Sequence, residues 1–160
     1  VAATIKDAYT VHQMMLAPMD TATTIPATVD RSAIERLVYS FYDDVRADPL
    51  LGPTFEAVLA DRWAAHLPRM VEFWSTMVLG TRSFSGNVFG KHMVLDGIAP
   101  KHLSHWLRLW FAKSDELFAP PVAHQLQFMA LGIARNLYRG YFGEDGGFAR
   151  IESELKHGHD

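Results

Sequence analysis

Trp63-Ala64-Ala65-His66-Leu67-Pro68-Arg69-Met70-Val71-Glu72-Phe73-Trp74-Ser75-Thr76-Met77 is the stretch on which the fold turns. Trp63, Leu67, Met70, Phe73, Trp74 and Met77 recur at three- and four-residue intervals, so they share one side of a helix. His66 falls in phase with them, and Gly80 ends the run. Pro68 interrupts the pattern, because inside a helix it removes one backbone bond and clashes with the preceding turn. The helix is therefore expected either to begin near Leu67 or to kink beside His66.

The same periodicity extends to both sides. Ser32 with Glu35 three residues on reads as a capping box opening a helix. Ile34, Leu37, Val38, Phe41, Tyr42 and Val45 stripe that helix until Pro49 stops it. Leu50 to Thr54 is expected as a tight corner that turns Phe55 inward. From Gly80 to Gly90 the chain is rich in Gly and Ser and reads as a loop able to wrap the edge of a ligand. Pro100 opens a third helix striped by Leu103, Trp106, Leu107, Trp110 and Phe111. Pro120-Pro121 breaks the chain, and Leu126, Met129, Ala130, Ile133 and Leu137 stripe a fourth helix. No strand pattern competes, so the class is all-α. Residues 1–29, rich in Ala, Thr and Met, form an N-terminal extension with a short helix expected around Ile5 to Leu16. Residues 30–143 make the domain, and 144–160 are expected as an exposed tail.

Composition narrows the function. A chain of 160 residues that is 49% hydrophobic and 12% aromatic has enough apolar surface for a core and for the walls of a flat, greasy ligand. A net charge of −3 argues against nucleic acid or an anionic membrane as a partner. The absence of cysteine excludes disulfides, thiolate-held haem or zinc, and iron–sulfur clusters, leaving histidine and carboxylate as metal ligands. No apolar run approaches the roughly 18 residues of a membrane span, and the start of the chain lacks a signal-peptide pattern. A cytoplasmic protein is expected. The absence of a Glu-x-x-His pair disfavours a di-iron bundle.

Within this frame Tyr42, His66, His92 and Trp106 stand out, each set among large apolar side chains. Two histidines 26 residues apart suggest an iron held from one side by one of them, with Tyr42 and Trp106 as hydrogen-bond donors on the other. Around these residues Ser40-Phe41-Tyr42, Leu51-Gly52-Pro53-Thr54-Phe55, Trp63-Ala64-Ala65-His66, Phe73-Trp74, Gly80-Thr81 with Gly86, Lys91-His92 and Trp106-Leu107-Arg108-Leu109 follow in one order. That order and spacing resemble the truncated haemoglobins, group III of that family most closely, over residues 32 to 142. The resemblance implies a globin-like two-over-two helical sandwich with a shortened or missing first helix. It also implies a b-type haem, iron protoporphyrin IX, bound non-covalently because no Cys-x-x-Cys-His is present. The implied function is reversible binding of oxygen, nitric oxide or another diatomic ligand. Nitric oxide dioxygenase or peroxidase-like chemistry on the same pocket, fed by an external reductase, is the enzymatic alternative. A haem-free helical sensor or interaction module is the alternative from another class.

The resemblance assigns roles residue by residue. His92 matches the proximal iron ligand, although by itself it reads more readily as a partly exposed loop histidine. An iron-ligating imidazole needs its other ring nitrogen bonded to a carbonyl that fixes its orientation. His102 and His105, at i and i+3 on the third helix, are rival ligands but read as rim residues; His12, His124, His157 and His159 read as solvent-facing or terminal. Tyr42 and Trp106 match distal donors, against the plain alternative of core residues. A charge-assisted bond from either to held oxygen is worth about 1.5–3 kcal/mol. His66 matches the distal histidine, and Met70, one turn on, is an apolar distal contact. Phe55, Phe73, Trp74, Met77, Phe84 and Phe89 are candidates for the cofactor walls, some of them only core. Arg69 and Lys91 are candidates for the haem propionates, against the commoner reading of solvated charges.

Overall fold

A computed structural model describes residues 29–143 and 146–158. The helix expected around residues 5–16 lies outside them. The described residues form helices and connections with no strand, and none of the helices is long and apolar enough to cross a membrane. The helices are α1 (Arg31–Ala47), α2 (Leu51–Leu59), α3 (Trp63–Leu79), α4 (Val88–Met93), α5 (Pro100–Leu117), α6 (Pro120–Phe142) and α7 (Phe148–His157). A single 3-10 turn, Ala60–Arg62, joins α2 to α3. α1 lies against α3, α5 against α6, and α1 also crosses α5, which stacks one helix pair over the other.

Several boundaries differ from the sequence reading. α1 is capped by Asp30, whose carboxylate accepts from the Ala33 amide at 2.8 Å, and not by a Ser32–Glu35 box. Asp and Ser cap equally well, so the pattern permitted either start. The expected corner at Leu50–Thr54 is the first turn of α2. One carboxylate oxygen of Asp48 accepts from the Leu50 and Leu51 amides at 2.9 and 2.8 Å and so starts that helix. Gly52 is required there, since a Cβ would sit 2.5 Å from the Arg46 carbonyl oxygen of α1. Of the two outcomes expected at Pro68, a start near Leu67 or a kink beside His66, the later start does not occur: α3 begins at Trp63 and runs through Pro68. Leu79 is its last residue, and Gly80 takes the left-handed conformation with φ 68°.

The tail also differs. Phe148, Ile151 and Leu155 recur on one face of α7 and are buried in the common core, so Phe148–His157 docks on the domain and is not an exposed tail. The core itself centres on Trp110, fully buried, whose indole nitrogen donates to the Leu126 carbonyl at 3.1 Å. Trp74 of α3 stacks on Trp110 at 4.1 Å. Gln127 of α6 donates to Ser114 at 3.0 Å and to Asp115 at 2.7 Å, a polar pin that fixes α6 against α5.

Candidate functional site

α1 and α3 together build an aromatic chamber. Tyr42, 6% exposed, points from α1 toward α2 and α3, where its ring meets Phe55 of α2 and Trp63 of α3 at 5.9 Å and His66 of α3 at 5.7 Å, each edge to face. Trp63 is fixed by its own bond to Glu56 at 2.9 Å and by the Arg46 guanidinium above its ring. Burial pushes the Tyr42 hydroxyl above its ordinary range, so it keeps its proton and remains a donor. His66 Nε2 is buried and has no hydrogen-bond partner among the described residues. Desolvation is the main cause that pushes the His66 imidazole below its usual range, and the nearby charges of His92, Arg69 and Arg62 add to it. His66 thus favours the neutral imidazole, with an orphaned nitrogen.

Trp106 stands on α5 beside Phe41. Its ring meets Phe41 at 5.9 Å and stacks with Trp110 at 6.0 Å, so Phe41 links it to the Tyr42 side. Tyr42 and His66 are in direct ring contact, whereas Trp106 joins the cluster through its neighbours.

His92 lies on α4, a helix of six residues that takes in the last residues of the loop expected from Gly80 to Gly90. Asn87 starts it by accepting from the Gly90 amide at 2.8 Å. His92 Nδ1 lies 2.7 Å from the Val88 carbonyl oxygen. A carbonyl only accepts, so Nδ1 carries a proton, and in the neutral tautomer the lone pair is left on Nε2. The rival histidines are otherwise engaged. His102 Nδ1 accepts from the Ala99 amide at 2.9 Å, which caps α5, and His105 faces the Asp48 carboxylate at 3.4 Å. Among the described residues no group of three His, Asp or Glu side chains gathers to hold a metal. A metal on His92 must therefore bring its other ligands with it, as an iron in a porphyrin ring does.

The wall candidates divide. Phe55, Met70, Phe73 and Met77 are half-buried against the core, and Phe84 packs on Phe73 at 5.3 Å. Trp74 is sealed between α3 and α5 at 2% exposure, whereas Phe89 is 43% exposed. Arg69 lies over the Phe84 ring and donates to the Ser85 carbonyl at 3.4 Å, and Lys91 is exposed on α4. The sequence reading passed over Tyr141 on α6, whose hydroxyl donates to the His92 backbone carbonyl. It also gave Trp63 no place beside Tyr42. Its membership of the stripe with His66 was the available signal.

No family model matches the chain. Over 86 residues it is 30% identical to the group 3 truncated haemoglobin ctb of Campylobacter jejuni, a match that spans 52% of this chain and 68% of that protein. The chain belongs to the group III truncated haemoglobins. The fold agrees: the crystal structure of a group III truncated haemoglobin from Campylobacter jejuni superposes with a TM-score of 0.66, covering 74% of this chain and 92% of that one at 24% identity. Membership places the chain among globin-type haem proteins. The residues present fit such a group, since a free imidazole lone pair on α4 lies near an orphaned imidazole nitrogen on α3.

Proposed function

We propose that this truncated haemoglobin binds b-type haem through His92 and reversibly takes dioxygen, nitric oxide or another diatomic ligand on the side of Tyr42, His66 and Trp106. The observation that carries this reading is the bond between His92 Nδ1 and the Val88 carbonyl, which fixes the tautomer and the ring direction an iron ligand needs. His92 would hold the haem, and the haem would supply an iron able to bind a diatomic ligand. The chain's own residues then act on that ligand. Tyr42 holds its proton and offers it to the partial negative charge the ligand draws. His66, neutral and unpartnered at Nε2, offers a second polar contact. Trp106 supplies an indole N–H that donates without accepting. Phe55 and Met70 exclude water, which strengthens each of these bonds. Arg69 and Lys91, near the pocket edge, are the cations available to the propionates.

Several donors around one ligand favour slow release. That supports a second reading, in which held oxygen is used for nitric oxide dioxygenation or peroxidase-like chemistry with electrons from an external reductase. Absorption spectra in the ferric, ferrous and oxygenated forms test the first reading, and His92→Ala should lose stable haem or require added imidazole. A colourless protein that gains no Soret band on haem titration overturns it in favour of a haem-free helical module. A His92→Ala variant with unaltered ferrous spectra refutes the ligand assignment.

A further inference from the structure

The His92 ring is fixed to its own helix, yet α4 has only six residues, and one and a half turns do not hold themselves in water. Whatever orients α4 therefore orients His92. Two features of the last turn of α6 meet it. Tyr141 donates its hydroxyl to the His92 carbonyl, 49 residues away in sequence. Gly140, beside it, lets α4 ride directly on α6, since a Cβ there would lie 2.5 Å from Met93 Sδ and 2.7 Å from the Phe89 ring. The His92 carbonyl also accepts from the Leu95 amide at 2.9 Å, so one oxygen joins α4, the turn that follows it, and α6.

We propose that Tyr141 is a positioning residue for the proximal histidine: its bond to the His92 carbonyl, with Gly140 allowing the close approach, latches α4 at the angle that aims the imidazole Nε2. This rests on the reading of His92 as the iron ligand. Tyr141 touches neither iron nor ligand and acts through α4 alone.

The test compares wild type, Tyr141→Phe and Gly140→Ala. In the haem-loaded ferrous protein, resonance Raman reads the iron–histidine stretch, which a general loss of stability does not move. Tyr141→Phe should shift or broaden it by several wavenumbers and speed haem transfer to an acceptor globin. The expected acceleration is roughly two- to twelvefold, the worth of one net hydrogen bond. Hydrogen exchange on the haem-free protein gives a second reading, with the Lys91–Leu95 amides exchanging faster by a similar factor while those of α5 stay unchanged. Gly140→Ala should loosen the same amides through crowding. If wild type shows the stretch but Tyr141→Phe leaves its frequency and the α4 amides unmoved, the latch is refuted while His92 stands as ligand. If wild type has no iron–histidine stretch, the ligand reading fails and the latch falls with it.

Discussion

Replacing Tyr42 by Phe removes one oxygen atom from the chamber and leaves its shape alone. The ring keeps its contacts with Phe55, Trp63 and His66, so the packing that aligns α1 with α3 survives. The hydroxyl is desolvated, and losing it should change folding stability by no more than about 1 kcal/mol. What disappears is a donor to a partly anionic ligand, worth about 1.5–3 kcal/mol in a water-poor site. Oxygen release should therefore accelerate roughly ten- to a hundredfold, with association changed far less. Stopped-flow displacement of oxygen by carbon monoxide reads this rate directly. Tyr42→Ala is the contrasting variant, because it also deletes the ring and should cost about 3–5 kcal/mol of stability. A Tyr42→Phe protein with wild-type stability and a wild-type oxygen off-rate would show that the hydroxyl plays no part in holding the ligand.

Trp106→Phe should also speed oxygen release, and by less than the sum when combined with Tyr42→Phe, because both side chains flank Phe41; additive off-rate effects in the double variant would show independent action. His66 has a folded-state pKa below its unfolded value near 6.5, so the unfolded chain binds more protons just below that pH. Its contribution is complete above about 6.5 and is lost as pH falls toward the lower folded value. His66→Gln should flatten this part of a denaturation-versus-pH profile, and an unchanged slope counts against a buried neutral imidazole. Phe148→Ala should cost about 3–5 kcal/mol because its ring is buried at 1% exposure in the core. A neutral result in chemical denaturation would mean that α7 does not dock in solution.

The helices legible in sequence were those whose apolar residues face a neighbour with regular spacing. The stripes from Ile34 to Val45, Leu103 to Phe111 and Leu126 to Leu137 each became a buried face of α1, α5 or α6. Short elements were not legible, because each starts on a single side-chain cap and carries too few residues for a periodic stripe. α2 begins where one Asp48 carboxylate meets two amides, and α4 begins on the Asn87 side chain; neither has a long stripe. α7 was hidden by its length, since Phe148, Ile151 and Leu155 amount to three apolar positions in an otherwise charged segment. At the site, the residue types on the expected faces were readable, but their bonds were not. The link between Tyr141 and His92 spans 49 residues, and nothing in local periodicity announces it.

The two sides of this site are held by different means, and that difference divides their work. The proposed ligand side takes Tyr42 and His66 from α1 and α3, each of 17 residues, locked by interleaved aromatic rings that reach into the Trp110 core of α5. Shifting Tyr42 there means disturbing the packing of several buried rings, so the donors are preorganised and ligand affinity should follow their chemistry. With His92 as the proposed ligand, the iron side would rest on α4, which has no fully buried residue and is held largely at its end by α6. A segment with few buried contacts opens locally at low free energy, so cofactor retention should follow the anchoring of α4 and not global stability. Substitutions in the aromatic chamber should then alter off-rates at constant haem affinity, whereas substitutions at the α4–α6 contact should alter haem loss at nearly constant distal chemistry. The separation arises because one side is a core and the other is a latch.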